Sequence, residues 1–90
     1  MYQLEVSAAA NRDLNKLEET IHGRDFERLR NAIRSLMNEP RPQGILKIQG
    51  TDNAYRVRVG NYRIVYRIFD SANIVVLLRV ARRNEATYRQ

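Results

Sequence analysis

The sequence predicts an α+β fold: a small β-α-α-β-β-β domain in which two N-terminal helices pack on one face of a mostly antiparallel sheet. Three observations lead there. Residues 54–68 alternate on either side of Gly60-Asn61, the pattern of two half-buried strands joined by a two-residue hairpin turn. Residues 8–37 place apolar side chains at helical spacing with one break, at His22-Gly23. Residues 74–78, Ile-Val-Val-Leu-Leu, form the most apolar run, of a length suited to a buried central strand.

Each element follows from its own residues. Residues 2–6 alternate and read as a short first strand. Ser7 is placed to cap a first helix over residues 8–20, whose Leu14, Leu17 and Ile21 share a stripe. His22 falls in the break between the helices, as a loop or capping residue. A second helix follows with Phe26, Leu29, Ile33, Leu36 and Met37 on one face and Arg24, Glu27, Arg28 and Arg34 on the outer face. Pro40 and Pro42 end it. Residues 44–49 read as a second strand, the hairpin supplies the third and fourth, Asp70–Asn73 turn, and residues 74–82 form the fifth. Glu85–Gln90 make a short tail. Residues 1–90 are expected to form a single domain.

In the hairpin, Tyr55, Val57, Val59, Tyr62, Ile64, Tyr66 and Ile68 share the face that meets the helices. Arg56, Arg58, Arg63 and Arg67 share the other. A two-residue turn sets Arg58 directly against Arg63, a like-charge cross-strand pair that should destabilise the hairpin. Arg79 is expected to cap the same open face. Charge is uneven along the chain: residues 1–42 hold seven Arg/Lys and seven Asp/Glu, while residues 43–90 hold nine and three and so carry the whole net charge of +6. Fourteen of the 16 basic residues are arginine, the side chain that grips phosphate bidentately and stacks on bases. By composition alone, nucleic acid and the plainer alternative, arginines that simply solvate a sheet face or meet an acidic protein partner, fit this half equally.

Several chemistries are excluded. With no cysteine and one histidine there is no thiolate or histidine metal set, and the carboxylates of the basic half are only Asp52, Asp70 and Glu85. Gly44, Gly50 and Gly60 are too scattered for a phosphate-cradling loop. No metal site and no cofactor are expected. No apolar run is long enough to cross a bilayer and the N-terminus lacks a signal-peptide pattern, so the expected location is cytoplasmic and no membrane partner is expected. What is left is arginine-driven chemistry on a phosphate. RNA suits it, because the 2′-OH is an internal nucleophile that needs only alignment and charge stabilisation at the phosphorane. DNA, lacking that hydroxyl, would be inert.

Over essentially its whole length the chain resembles the RelE/ParE toxin superfamily of bacterial toxin–antitoxin systems. The resemblance rests on Leu46-Lys47-Ile48-Gln49-Gly50, on the run from Tyr55 through Gly60-Asn61 to Tyr66, and more loosely on Val80-Ala81-Arg82-Arg83 followed by Tyr88. It implies a ribosome-dependent, metal-free endoribonuclease, an mRNA interferase that cleaves mRNA in the A site. By the same resemblance Arg58, Arg63, Arg83 and Tyr88 are catalytic, and Lys47, Arg56 and Arg82 bind RNA. The implied partners are a RelB-like antitoxin, the ribosome with its mRNA, and operator DNA through a toxin–antitoxin hetero-oligomer. ParE-like members, which inhibit DNA gyrase without cutting RNA, give the alternative; a relic that only binds an antitoxin is a third. Arg82 stands where some members have histidine, and arginine fills both hairpin positions where some have lysine. Arginine is a poor base at neutral pH, so the proton acceptor is left among Lys47, Glu85, Tyr88 and water.

Overall fold

A computed structural model describes residues 1–83. In chain order these form β1 (Gln3–Val6), α1 (Ala8–Thr20), α2 (Gly23–Ser35), β2 (Leu46–Lys47), β3 (Ala54–Val59), β4 (Tyr62–Phe69), one 3₁₀ turn (Asp70–Ala72) and β5 (Ile74–Arg82). The strands form one five-stranded sheet in the order β1-β5-β4-β3-β2. β1 runs parallel to β5, and every other neighbouring pair is antiparallel. The expected α+β architecture is therefore present, with two helices on one face, and the order is β-α-α-β-β-β-β, one strand more than the β-α-α-β-β-β pattern.

Local chemistry sets the boundaries. Ser7 Oγ accepts from the Ala10 N–H at 3.1 Å and donates to the Leu78 carbonyl at 3.1 Å, so one hydroxyl starts α1 and ties it to the sheet. His22 caps α2, its Nδ1 accepting from the Arg24 N–H at 3.3 Å. α2 ends at Ser35, earlier than the proline pair requires. Leu36, Met37 and Asn38 instead bond three residues back, tightening the last turn into 3₁₀ geometry. β2 shrinks to two residues, because Gly44 and Gly50, at φ of 90° and 81°, turn the chain on either side of it.

The core lies between the helices and one sheet face. Leu17, Leu29, Ile33 and Leu36 meet Tyr62, Ile64, Tyr66 and Ile68 of β4 and Val75, Leu77 and Val80 of β5. Tyr66 is fully buried, and its hydroxyl donates to the Pro40 carbonyl at 2.8 Å. Burial pushes this phenol up to about 12. The helices are amphipathic toward this face, and no helix among the described residues is long and apolar enough to cross a membrane.

One junction carries the far end of the sheet. β1 pairs only with residues 74–77 of β5 and then leaves as α1. At that point β5 bulges: Tyr66 opposes Leu77, but Val65 opposes Arg79. Asp13 of α1 takes over where β1 stops. Its carboxylate accepts from the Val80 N–H at 2.9 Å and from Arg79 Nε and Nη2 at 2.8 and 3.1 Å. Arg79, opposite Val65 in register, thereby ties the edge of β5 to the helix. A second junction ties the opposite end. Asp70 accepts from Arg41 through two bonds of 3.2 and 2.8 Å and from the Tyr2 hydroxyl at 2.6 Å.

Two stability outcomes follow. Asp13→Ala removes three acceptor contacts from a side chain that is 16% exposed and strands the Val80 N–H, and it is expected to cost about 2 kcal/mol. Thermal melting should fall by roughly 10 °C, while Asp13→Asn, which keeps an oxygen for Val80, should lose less. Arg41 first and Tyr2 second hold the Asp70 carboxyl down at about 2. A depressed native pKa means that the stabilisation is complete above the unfolded value of about 4 and is lost as pH falls toward about 2. In acid titrations followed by circular dichroism, Asp70→Asn should flatten stability between these two pH values.

Candidate nucleic-acid interface

The hairpin forms in the register its sequence implies. Val59 opposes Tyr62, Arg58 opposes Arg63 and Val57 opposes Ile64. Gly60 has φ of 60°, while Asn61 keeps negative φ, so the turn is of type II′ with glycine at its first central position. In a two-residue hairpin the pair next to the turn-flanking pair is the close, non-hydrogen-bonded one, with Cα atoms roughly 4.5 Å apart. Arg58 and Arg63 occupy it. Arg58 Nε donates to the Gly60 carbonyl at 3.2 Å, which draws its guanidinium toward the tip. β3 and β4 contain no carboxylate. Holding two guanidinium stems at this spacing costs on the order of 0.5–1 kcal/mol relative to a neutral pair.

The remaining arginines of this face differ in their ties. Arg56 stands in register between Leu46 and Val65, half-buried. Arg67 Nη1 donates to Asn53 Oδ1 at 2.9 Å, anchoring the loop before β3. Apolar residues flank the arginines on two sides, Leu46 on the outer strand β2 and Phe69, Ile74 and Val76 on β4 and β5. Leu46 is 56% exposed and Phe69 39% exposed, and register puts Ile74 and Val76 of β5 on the same face.

The other sequence-predicted site residues fall in different places. Arg82 opposes Tyr62, so it belongs to the helix side, with its guanidinium 5.7 Å from the centre of the Tyr62 ring. Arg83 follows β5 directly, and its N–H donates to the Asn61 carbonyl at 2.7 Å, which places it against the hairpin tip. Lys47 pairs with Tyr55 and so projects to the helix side at the outer strand, away from Arg56, Arg58 and Arg63. Tyr88 and Glu85 lie outside the described residues. Among the described residues no three His, Asp or Glu side chains gather as a metal set.

The hairpin tip also has a neighbour that the sequence reading assigned elsewhere. Arg28 looks like an outer-face residue of α2. In the structure its guanidinium lies beside Gly60, with Nη1 3.5 Å from where a Cβ on that glycine would stand. The one available signal was that Arg28 directly precedes the buried Leu29, at the border of the apolar stripe, where a long side chain can reach round.

Comparison with known proteins places this architecture. The family model for the ParE toxin of type II toxin–antitoxin systems matches residues 4–87. The chain therefore belongs to the RelE/ParE toxin family of type II toxin–antitoxin systems. Among its relatives, the toxin RelE of Mycobacterium tuberculosis is 33% identical over 88 residues, covering 98% of this chain and 87% of the relative. The toxin–antitoxin complex RelBE2 of the same organism contains a chain 28% identical, with a TM-score of 0.74, covering 91% of this chain and 98% of that one. The archaeal RelE–RelB complex of Pyrococcus horikoshii shares the fold, with a TM-score of 0.76 at 22% identity over 94% of this chain and 98% of that one.

A charge reversal separates folding from binding at this site. Arg58→Glu converts the close pair with Arg63 into an attractive one and should raise stability by about 0.5–1 kcal/mol at low ionic strength. The gain should shrink in high salt. Denaturant titrations at two salt concentrations read this directly, and the same variant should lose affinity for single-stranded RNA.

Proposed function

We propose that this toxin is an endoribonuclease that cleaves mRNA in the ribosomal A site by attack of the ribose 2′-OH on the adjacent phosphate. The single observation that carries this reading is the close cross-strand Arg58–Arg63 pair at the tip of a hairpin whose strands hold no carboxylate, with Arg83 held against the same turn. In this reading the 2′-hydroxyl oxygen bonds to phosphorus as the bond to the 5′-oxygen breaks. The hydroxyl proton passes to an acceptor, and the departing oxygen gains one. The products are a 2′,3′-cyclic phosphate and a 5′-OH. Arg58, Arg63 and Arg83 neutralise the charge that builds on the non-bridging oxygens. Arg56 and Arg82 bind backbone. Arginine keeps its proton, so these groups act electrostatically, and proton transfer is left to Lys47, Glu85, Tyr88 or water. Lys47 is the weakest of these candidates, because register turns it away from the arginine face.

We further infer a single domain working in the cytoplasm, and silencing by a RelB-like antitoxin whose complex with the toxin binds operator DNA. The apolar residues that flank the arginines, Leu46 on one side and Phe69, Ile74 and Val76 on the other, suit a cover that is amphipathic and acidic. Relatives solved as RelE–RelB complexes support that kind of partner. The description of the matching family model as ParE favours a second reading, a gyrase-inhibiting toxin without nuclease activity. A supercoiling assay on the purified protein separates the two.

Cleavage can be mapped in a translation extract programmed with a defined mRNA. Wild-type protein should give ends with 2′,3′-cyclic phosphate. Arg58→Ala combined with Arg63→Ala should lower cleavage at least 100-fold, an expected loss of roughly 3 kcal/mol of transition-state stabilisation. A single 2′-deoxy substitution on the 5′ side of the cut should block that cut alone. Undiminished cleavage by the double variant would sink the mechanism.

A further inference from the structure

We propose that Arg28 of α2 binds a second backbone phosphate of RNA, on the helix side of the hairpin tip. This rests on the RNA-cleaving reading above and adds to it a group from a different element and the opposite sheet face. The Arg28 guanidinium lies against the turn, with Nη1 and Cζ 3.5 and 3.9 Å from the position of a Cβ on Gly60. It makes no ion pair and no hydrogen bond among the described residues. On the same side Arg82 stands over the Tyr62 ring. Across the turn, Arg58 holds the Gly60 carbonyl. Three arginines, from α2, β3 and β5, thus surround a two-residue turn.

A small cleft of about 50 Å³ opens there, lined by Asp25, Arg28, Val59, Asn61 and Tyr62. It has room for roughly one phosphate oxygen set or a few waters. Its polar lining is mixed: Arg28 supplies a cation, and the Asp25 carboxylate supplies an acceptor one helical turn away. A ribonucleotide offers both complements, a phosphate for the arginine and a 2′-OH for the carboxylate. An acidic peptide could also offer an anion to Arg28 and backbone N–H groups to Asp25, and it is therefore one of the probes below. The surface is also continuous with the hairpin arginines, so one strand can pass round the tip with one phosphate on Arg58 and Arg63 and another on Arg28.

The test is a salt series from 50 to 200 mM with the full chain, using wild type, Arg28→Ala, Arg28→Lys, and the Arg58→Ala, Arg63→Ala double variant. Melting curves should show all four folded, since Arg28 and Arg58 are exposed, Arg63 is half-buried, and the double variant removes a like-charge pair. The probes are a single-stranded RNA oligonucleotide, vacant ribosomes and a poly-glutamate peptide. Loss of one phosphate contact should lower the slope of log affinity against log salt for the oligonucleotide by about 0.7. Arg28→Ala should show that loss, with binding several-fold weaker at low salt, and Arg28→Lys should restore the slope. A slope loss with ribosomes alone also supports the site and assigns its phosphate to ribosomal RNA. Unchanged slopes for Arg28→Ala on both RNAs overturn the proposal. If the double variant still weakens RNA binding in that case, the nuclease reading stands. Weakened poly-glutamate binding with unchanged RNA slopes overturns it in favour of a protein contact. Wild type that binds neither RNA overturns both readings together.

Discussion

The sheet depends on a carboxylate standing in for a strand. β5 runs the length of the molecule, but β1 accompanies only its first half. Beyond Leu77 the outer edge of β5 would present unpaired backbone to solvent, in the stretch that leads to Arg82 and Arg83. Asp13 closes that gap by accepting the Val80 N–H in the manner of a neighbouring strand, and it holds Arg79 as counter-charge. The Ser7 hydroxyl, one residue before α1, fixes the same helix to the Leu78 carbonyl. Helix position and strand register are thus set by the same few polar contacts. β4, and through it the arginine hairpin, inherits its placement from a β5 fixed in this way.

Against this well-satisfied frame the hairpin is locally in conflict. Its turn chemistry, alternation and core face all favour the observed register, and only the Arg58–Arg63 pair opposes it. The rest of the fold overrides that cost, because β4 is buried along Tyr62, Ile64, Tyr66 and Ile68 and cannot slip without exposing all four. Local disagreement with an otherwise consistent fold is the pattern expected where a surface is kept for binding.

Most of the architecture was legible because its signals are local. The Ser7 cap, the His22-Gly23 break and the Gly60-Asn61 turn each report on their immediate neighbours, and alternation on either side of that turn fixes the faces. The illegible parts are those decided across the fold. The bulge at Leu77–Arg79 has no marker in an apolar run. Simple alternation from Leu77 would put Arg79 on the core face, whereas the bulge sets it opposite Val65 and its guanidinium meets Asp13. Arg28 reads as solvated for the same reason: a helix pattern gives the direction of Cα–Cβ and not the reach of a guanidinium. Lys47 was assigned by motif resemblance, and two residues of β2 pairing were enough to place it on the other face from the arginines it was grouped with.

The composition of the tip has a consequence for control. A lysine or histidine cluster changes its charge when burial or pH shifts its proton equilibrium. A guanidinium does not, at any pH a cell experiences. The electrostatic attraction of this surface is therefore constant, with no proton-operated off position. If the arginines bind RNA as proposed, a change of pH would not switch that binding off, whereas a partner seated over them would.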